Sequence, residues 1–249
     1  MRDRFEKSMP GLSRFIWTRS RAIDSQLYEI VTKSRPDIQQ LMIVGAGYDT
    51  RAYRFRKILD EKGVKRFEGD LPDIQSLKKA SMKVVEDGEG GDIGLKDVTF
   101  IPLDLTRPVD ELLTLVASNG WTIGAPTLFV MEGVTTYLEQ SAVEESFKFM
   151  AQSCGAGSQL LVTFVSPAQM SMDSYEVLKK DLAKKSEPHK FYPTAELFTE
   201  ILNRTGWDVR RMLTPSILCE EYSTPDEGAI FAPGHLVFAT RREEAPPRA

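Results

Sequence analysis

Three carboxylates, an arginine pair and a glycine pair in this chain fall at spacings that can hold a nucleoside-bearing ligand. The glycine pair comes first. Leu41-Met42-Ile43-Val44 is a continuous apolar run, and it ends in Gly45-Ala46-Gly47 followed by Tyr48-Asp49-Thr50-Arg51. This is the pattern of a buried strand turning sharply into a helix. In open α/β sheets, ligands bind where such a strand ends, and glycine lets the backbone approach a group that a Cβ would block. A dinucleotide fingerprint needs a third small residue, and here that position is Thr50. Asp49 also puts negative charge at the helix start, where a pyrophosphate would sit. Both features disfavour NAD and leave room for a cofactor without phosphate, such as S-adenosylmethionine (SAM).

The acids follow the next strands. Asp70 comes after the second strand, 25 residues beyond Gly45. A carboxylate there can accept hydrogen bonds from both ribose hydroxyls; the alternative is a cap for the helix beginning near Asp73. Asp104 and Leu105 follow the third strand. There an acid can take the exocyclic amine of adenine while an apolar neighbour packs on the ring, although Asp is also a common turn residue. Glu132 directly follows four apolar residues, Leu128 to Met131, with Thr127 before them making the strand. Such a carboxylate must emerge at the sheet edge or be paired, and it suits the cofactor ammonium or sulfonium region. Arg19 and Arg21 lie ahead of the sheet, and one of them can clamp the cofactor carboxylate.

These residues need a scaffold of alternating elements. Strand patterns fall at 41–45, 64–69, 98–102, 126–131, 159–165, 207–213 and 235–240. Helical patterns fall at 20–34, 51–61, 73–86, 108–118, 140–152, 173–185 and 194–203. Thr194 reads as a helix N-cap and Gly206 as a helix stop. The expected fold is α/β: a seven-stranded, mostly parallel sheet with an antiparallel edge pair and helices on both faces. That describes the Rossmann-like class I methyltransferase sheet better than a pure dinucleotide fold. One domain is expected over 1–249, with an N-terminal helical segment at 1–35 and a substrate-covering insertion at 166–206.

Composition narrows the function class. The 249 residues carry a net charge of −4, so no global basic field attracts nucleic acid or anionic membrane. No run approaches the length of a membrane span, and Met1 to Lys7 has no apolar core of a signal peptide. Cys154 and Cys219 suit free thiols in a reducing compartment, so a cytoplasmic location is expected. His189 and His235 are too few for a metal cluster, and no metal is expected. Oligomeric state leaves no mark in the sequence.

Taken in order, Val44-Gly45-Ala46-Gly47-Tyr48-Asp49-Thr50-Arg51-Ala52-Tyr53-Arg54, then Asp70-Leu71-Pro72, Asp104-Leu105 and Glu132-Gly133-Val134-Thr135-Thr136-Tyr137-Leu138 resemble the leucine carboxyl methyltransferase family of SAM-dependent enzymes. The resemblance spans about residues 15 to 165 and is closer to the bacterial, polyketide-associated O-methyltransferase branch. It implies a cofactor site of Arg19 (or Arg21), Gly45, Ala46, Gly47, Asp70, Leu71, Asp104, Leu105 and Glu132. It implies a methyltransferase acting on a small-molecule hydroxyl or carboxylate. The alternatives are a protein C-terminal leucine carboxylate as acceptor, or a non-catalytic SAM- or NAD-binding protein. His189, His235 and Tyr137 are candidate bases for a hydroxyl acceptor, and none is assigned that role. Met170, Met172, Tyr175, Phe191 and Tyr192 could form an apolar cover or ordinary core.

Overall fold

In the computed structural model, which describes residues 11–88, 91–166, 189–223 and 234–243, the apolar runs form the strands of one sheet. Helix α1 (Leu12–Lys33) precedes β1 (Gln40–Val44). Two short helices, α2 (Arg51–Arg54) and α3 (Arg56–Glu61), lead to β2 (Lys65–Asp70). Then come α4 (Pro72–Asp87), β3 (Val98–Pro102), α5 (Val109–Ser118), β4 (Thr127–Met131), α6 (Gln140–Ser153) and β5 (Gln159–Val165). The chain closes with α7 (Ala195–Arg204), β6 (Trp207–Leu213), α8 (Pro215–Tyr222) and β7 (Gly234–Arg241). The strand order is β3-β2-β1-β4-β5-β7-β6. Strands β1 to β5 pair in parallel. The last strand, β7, inserts between β5 and β6 and runs antiparallel to both. The expected seven-stranded sheet with its antiparallel pair at one edge is the one observed.

Both faces of this sheet are covered, which is why its central strands are apolar throughout instead of alternating. Met42, Val44, Phe129, Met131, Leu160 and Val162 point into one core, with Phe147, Phe198 and Trp207. Leu41, Ile43, Leu128 and Val130 point into the other, with Ile23, Leu27 and Leu59. Polar edges inside the first core are satisfied: the indole N–H of Trp207 donates to the Phe147 carbonyl at 3.0 Å and that of Trp121 to the Ser153 carbonyl at 2.9 Å.

Some boundaries differ from the sequence pattern, for local reasons. Helix α1 starts at Leu12, not near residue 20, because buried Phe15, Thr18, Ala22, Ile23, Leu27 and Val31 continue one stripe at helical spacing. The helix expected over 51–61 breaks at Phe55 (φ −95°, ψ 9°). Tyr53 and Phe55 both pack on the second core, and two residues in one continuous helix would point to opposite sides. Helix α8 is not among the helical patterns expected from sequence; Pro215 in its first turn and the Thr214 hydroxyl accepting from Ile217 N–H make it a capped helix. The Thr194 cap and the stop at Gly206 (φ 98°) occur as expected. The helix expected over 173–185 lies outside the described residues.

The sheet order reverses between β1 and β4, and the crevice at their carboxyl ends is where such sheets bind ligands. The turn after β1 depends on Gly45. Its φ is 65°, and a Cβ there would overlap Val134 Cγ2 in the loop after β4. Gly63 has the same φ of 65° with nothing within 4 Å. Gly63→Ala should therefore show the backbone cost alone, about 1–2 kcal/mol, and Gly45→Ala a further ~1–3 kcal/mol of overpacking. Urea denaturation of both variants checks this; equal losses would mean that Val134 moves aside freely.

Candidate functional site

The crevice is a cleft of about 340 Å3 lined by Arg19, Ser20, Ile43, the Gly45–Arg51 turn, Arg54 and Glu132. Three elements far apart in sequence meet in it. Helix α1 supplies Arg19, the turn after β1 supplies the backbone, and the end of β4 supplies Glu132.

Glu132 is bonded on both oxygens. Arg19 Nε donates to Oε1 at 2.6 Å and Arg51 Nη1 to Oε2 at 2.5 Å. Burial favours the neutral acid, but the Arg19 and Arg51 guanidiniums outweigh it and hold the carboxyl below its usual range. Glu132 both emerges at the sheet edge and is paired, as its sequence position requires.

Arg51 is the functional residue that sequence reasoning missed. Only 3% exposed, it donates to three carboxylates: Asp24 through Nε at 2.7 Å, and Asp49 and Glu132 through Nη1 at 2.5 Å each. Burial works against its charge, and Asp49, Glu132 and Asp24 together hold it above the usual guanidinium range. Arg54 adds a two-pronged contact to Asp24 at 2.7 and 3.0 Å. A buried arginine is not a local signal; its only trace in the sequence was its place in Asp49-Thr50-Arg51.

From sequence, Asp49 stands as a bare charge at a helix start. In the structure its carboxylate accepts from Arg51 N–H at 2.7 Å as well as from the Arg51 guanidinium. Its charge is neutralised there, and the helix behind it has only four residues. The short helix, more than Asp49, makes a poor pyrophosphate site.

The two arginines ahead of the sheet separate. Arg19 lines the cleft. Arg21 donates to the Tyr222 carbonyl at 3.0 Å and stands 5.4 Å from the Trp17 ring centre, on the α8 side of α1. Asp70 closes the other end of the turn: Oδ2 accepts from Gly47 N–H at 2.6 Å and Oδ1 from Leu71 N–H at 2.7 Å. The N-cap position of α4 is Leu71, so Asp70 ties the strand end to the glycine turn and does not cap the helix. Leu71 beside it is exposed. Asp104 and Leu105 lie outside the cleft lining. Asp104 Oδ1 accepts from both Thr106 N–H, at 3.0 Å, and its hydroxyl, at 2.7 Å, which is turn chemistry. Those bonds hold Asp104 below the usual carboxylate range, and Leu105 is buried in the first core.

The residues present fit SAM. A Cβ on Gly47 would meet only the Gly45 carbonyl, at 4.0 Å, so the turn offers bare backbone to the cleft. Each Asp70 oxygen has taken one N–H and keeps a lone pair for a hydroxyl. Arg19 has committed its Nε and keeps two terminal nitrogens, with its side chain 17% exposed. Among the described residues no group of His, Cys, Asp and Glu could hold a metal ion, and no helix is long and apolar enough to cross a membrane.

A second group of side chains lies past Glu132. Lys190 N–H donates to the Thr136 carbonyl at 2.6 Å. This brings His189 edge-on to Tyr137, with ring centres 5.0 Å apart, and 5.6 Å from Tyr192. Burial holds His189 below the usual imidazole range. Phe191 is buried in the first core. His235 is buried and stacks on Phe164 at 4.7 Å. Met170, Met172 and Tyr175 lie outside the described residues.

The model of a family described as leucine carboxyl methyltransferase matches residues 2–151. A Mycolicibacterium vanbaalenii protein described as an S-adenosyl-L-methionine-dependent methyltransferase is 27% identical over 252 residues, covering 94% of this chain and 77% of its own. With relatives from Mycolicibacterium smegmatis and Mycobacterium marinum, the match takes 62% and 61% of this chain and 48% and 46% of theirs. Among solved structures, one described as a methyltransferase from Thermobifida fusca superposes with a TM-score of 0.68 at 13% identity, covering 97% of this chain and 86% of that one. Magnesium protoporphyrin IX methyltransferase from Synechocystis, with bound SAH, gives a TM-score of 0.54 at 15% identity, over 90% and 83%. At such identities these structures share the fold.

The Glu132 pairing carries a pH signature. Its carboxyl is held below the ordinary value of 4.5, so its contribution to stability is complete above that pH. It is lost as pH falls through the lowered value. Relative to Glu132→Gln, the wild type should lose its advantage only below pH 4.5. Denaturation curves between pH 3 and 7 test this, and an advantage independent of pH would contradict it.

Proposed function

This chain belongs to the leucine carboxyl methyltransferase family of SAM-dependent enzymes, and from that premise we propose that it methylates an oxygen of a small molecule, a hydroxyl or a carboxylate. The cofactor supplies a methyl carbon activated by a sulfonium. In this reading Arg19 holds the amino-acid carboxylate of SAM while Glu132, fixed by Arg51, faces its ammonium. The backbone of Gly45, Ala46 and Gly47 lines the turn, and Asp70 receives the ribose hydroxyls with Leu71 beside it. Asp104 and Leu105 stand at the adenine end, with Asp104 offering the oxygen that Thr106 does not use.

The observation that carries the small-molecule reading is the Lys190-to-Thr136 hydrogen bond, which seats His189 against Tyr137 five residues past Glu132. A rigid aromatic wall with an imidazole suits a compact acceptor better than a flexible protein terminus. In this reading the residues from His189 onward contribute to the acceptor side. Alignment of donor and acceptor can supply ~7–11 kcal/mol of the barrier reduction. A carboxylate acceptor needs no base, whereas a hydroxyl would gain ~10²–10⁴-fold from one. The family description supports a second reading, in which the acceptor is the C-terminal leucine carboxylate of a protein.

Asp70→Ala should weaken SAM binding by roughly tenfold to over a hundredfold, since a hydrogen bond to a charged group is worth ~1.5–3 kcal/mol. Calorimetric titration measures this, and unchanged affinity in a folded variant would remove Asp70 from the cofactor site. Incubation with methyl-labelled SAM should label members of a panel of phenols and carboxylic acids and leave a leucine-terminated peptide unlabelled. The reverse pattern would favour the second reading.

A further inference from the structure

Outside the lining of the cleft, two charges are buried against the turn that forms it. Lys78 of α4 and Glu68 of β2 are 2% and 0% exposed, with Nζ 2.7 Å from Oε2. Lys78 Nζ also donates to the main-chain carbonyl of Asp49 at 2.6 Å, and it lies 5.6 Å from the centre of the Tyr53 ring. An ammonium has three donor directions. Here they are divided among a carboxylate, a carbonyl and the face of the Tyr53 ring.

An ion pair in a core adds little stability over well-packed apolar side chains of the same volume. Stability alone therefore does not explain these two residues, and the carbonyl contact does. Asp49 belongs to the Gly45–Thr50 turn that lines the cleft. Its N–H closes that turn on the Ala46 carbonyl at 2.7 Å, and its carboxylate is taken by Arg51 on the cleft side. Lys78 grips the same residue from beneath, through the main chain.

We propose that Lys78, anchored by Glu68, is a positioning residue for the cofactor: its ammonium holds the Asp49 carbonyl and so keeps the Gly45–Thr50 turn in the shape that receives SAM. The inference rests on the cofactor and the cleft, and is independent of the acceptor. Burial raises the Glu68 carboxyl so strongly that, even with the Lys78 ammonium favouring the ionised form, it stands at about 7. Without Lys78 the carboxyl takes up a proton, so the lysine can be removed without stranding a bare charge.

The test separates charge partner from turn holder. Lys78→Met should lower the melting temperature and weaken SAM binding about tenfold or more by calorimetry. The double variant Glu68→Gln/Lys78→Met removes both charges; its melting temperature should return towards that of the wild type while its SAM affinity stays about as weak as in the single variant. In turnover, the KM for SAM should rise with kcat at saturating SAM retained. If the double variant regains wild-type affinity together with wild-type stability, Lys78 is only the counter-ion of Glu68 and the proposal falls. Wild-type affinity in a folded Lys78→Met protein overturns it equally. If the single variant does not fold, the double variant decides. Loss of SAM binding in the wild type itself would instead overturn the cleft assignment on which the proposal stands.

Discussion

The structure turns on one buried guanidinium. Arg51 cannot be desolvated without counter-charges, because an unpaired buried ion costs several kcal/mol. Its three carboxylates come from three places: Asp24 on α1, Asp49 in the turn after β1, and Glu132 at the end of β4. Satisfying Arg51 therefore docks the N-terminal helix on the sheet, closes the glycine turn and aims Glu132 at the cleft in one arrangement. Arg19 and Arg54 join the same network, so three cations face three anions and the cleft wall is charged but nearly neutral overall. Such a wall suits a ligand that carries both signs, like the amino-acid end of SAM, better than a polyanion.

The glycine turn is held from every side. Its outer face meets Arg51, and its inner carbonyl meets Lys78. Its first N–H groups, those of Gly45 and Ala46, donate to the Gly69 carbonyl, and Gly47 N–H donates to Asp70. A catalyst for group transfer gains most from groups held in place before the ligand arrives. Rigid support beneath bare backbone is one way to provide that, and strands β1 and β2 lend the turn their own stiffness.

The cleft and the side chains around His189 are built differently. The cofactor side comes from strand ends and short turns, where the sheet dictates position. The acceptor side proposed above draws on the Thr135–Tyr137 turn and on His189, which the Lys190 N–H bond to the Thr136 carbonyl brings together. The family model covers residues 2–151, the Thr135–Tyr137 turn included, and ends before His189. On the proposed function, acceptor choice falls to His189 and the residues after it, where side chains can change without disturbing the sheet.

The strands, the glycine turn, Asp70 and Glu132 were legible in the sequence because each rests on a local signal. An apolar run of strand length, a glycine pair at its end or a charge directly after it needs only neighbouring residues to be recognised. The same holds for the Thr194 cap. What the tertiary structure alone decided involves partners distant in the chain. Arg19 reaches Glu132 across 113 positions and Arg51 reaches it across 81, while Lys78 reaches Asp49 across 29. Nothing local distinguishes those three residues from surface cations, or Arg19 from Arg21. Asp104 shows the converse: its place after a strand was readable, but its bonds to Thr106 were set by the turn it sits in. A charge reveals its role only when the fold removes its water, and burial is a property of the assembled layers and not of any one segment.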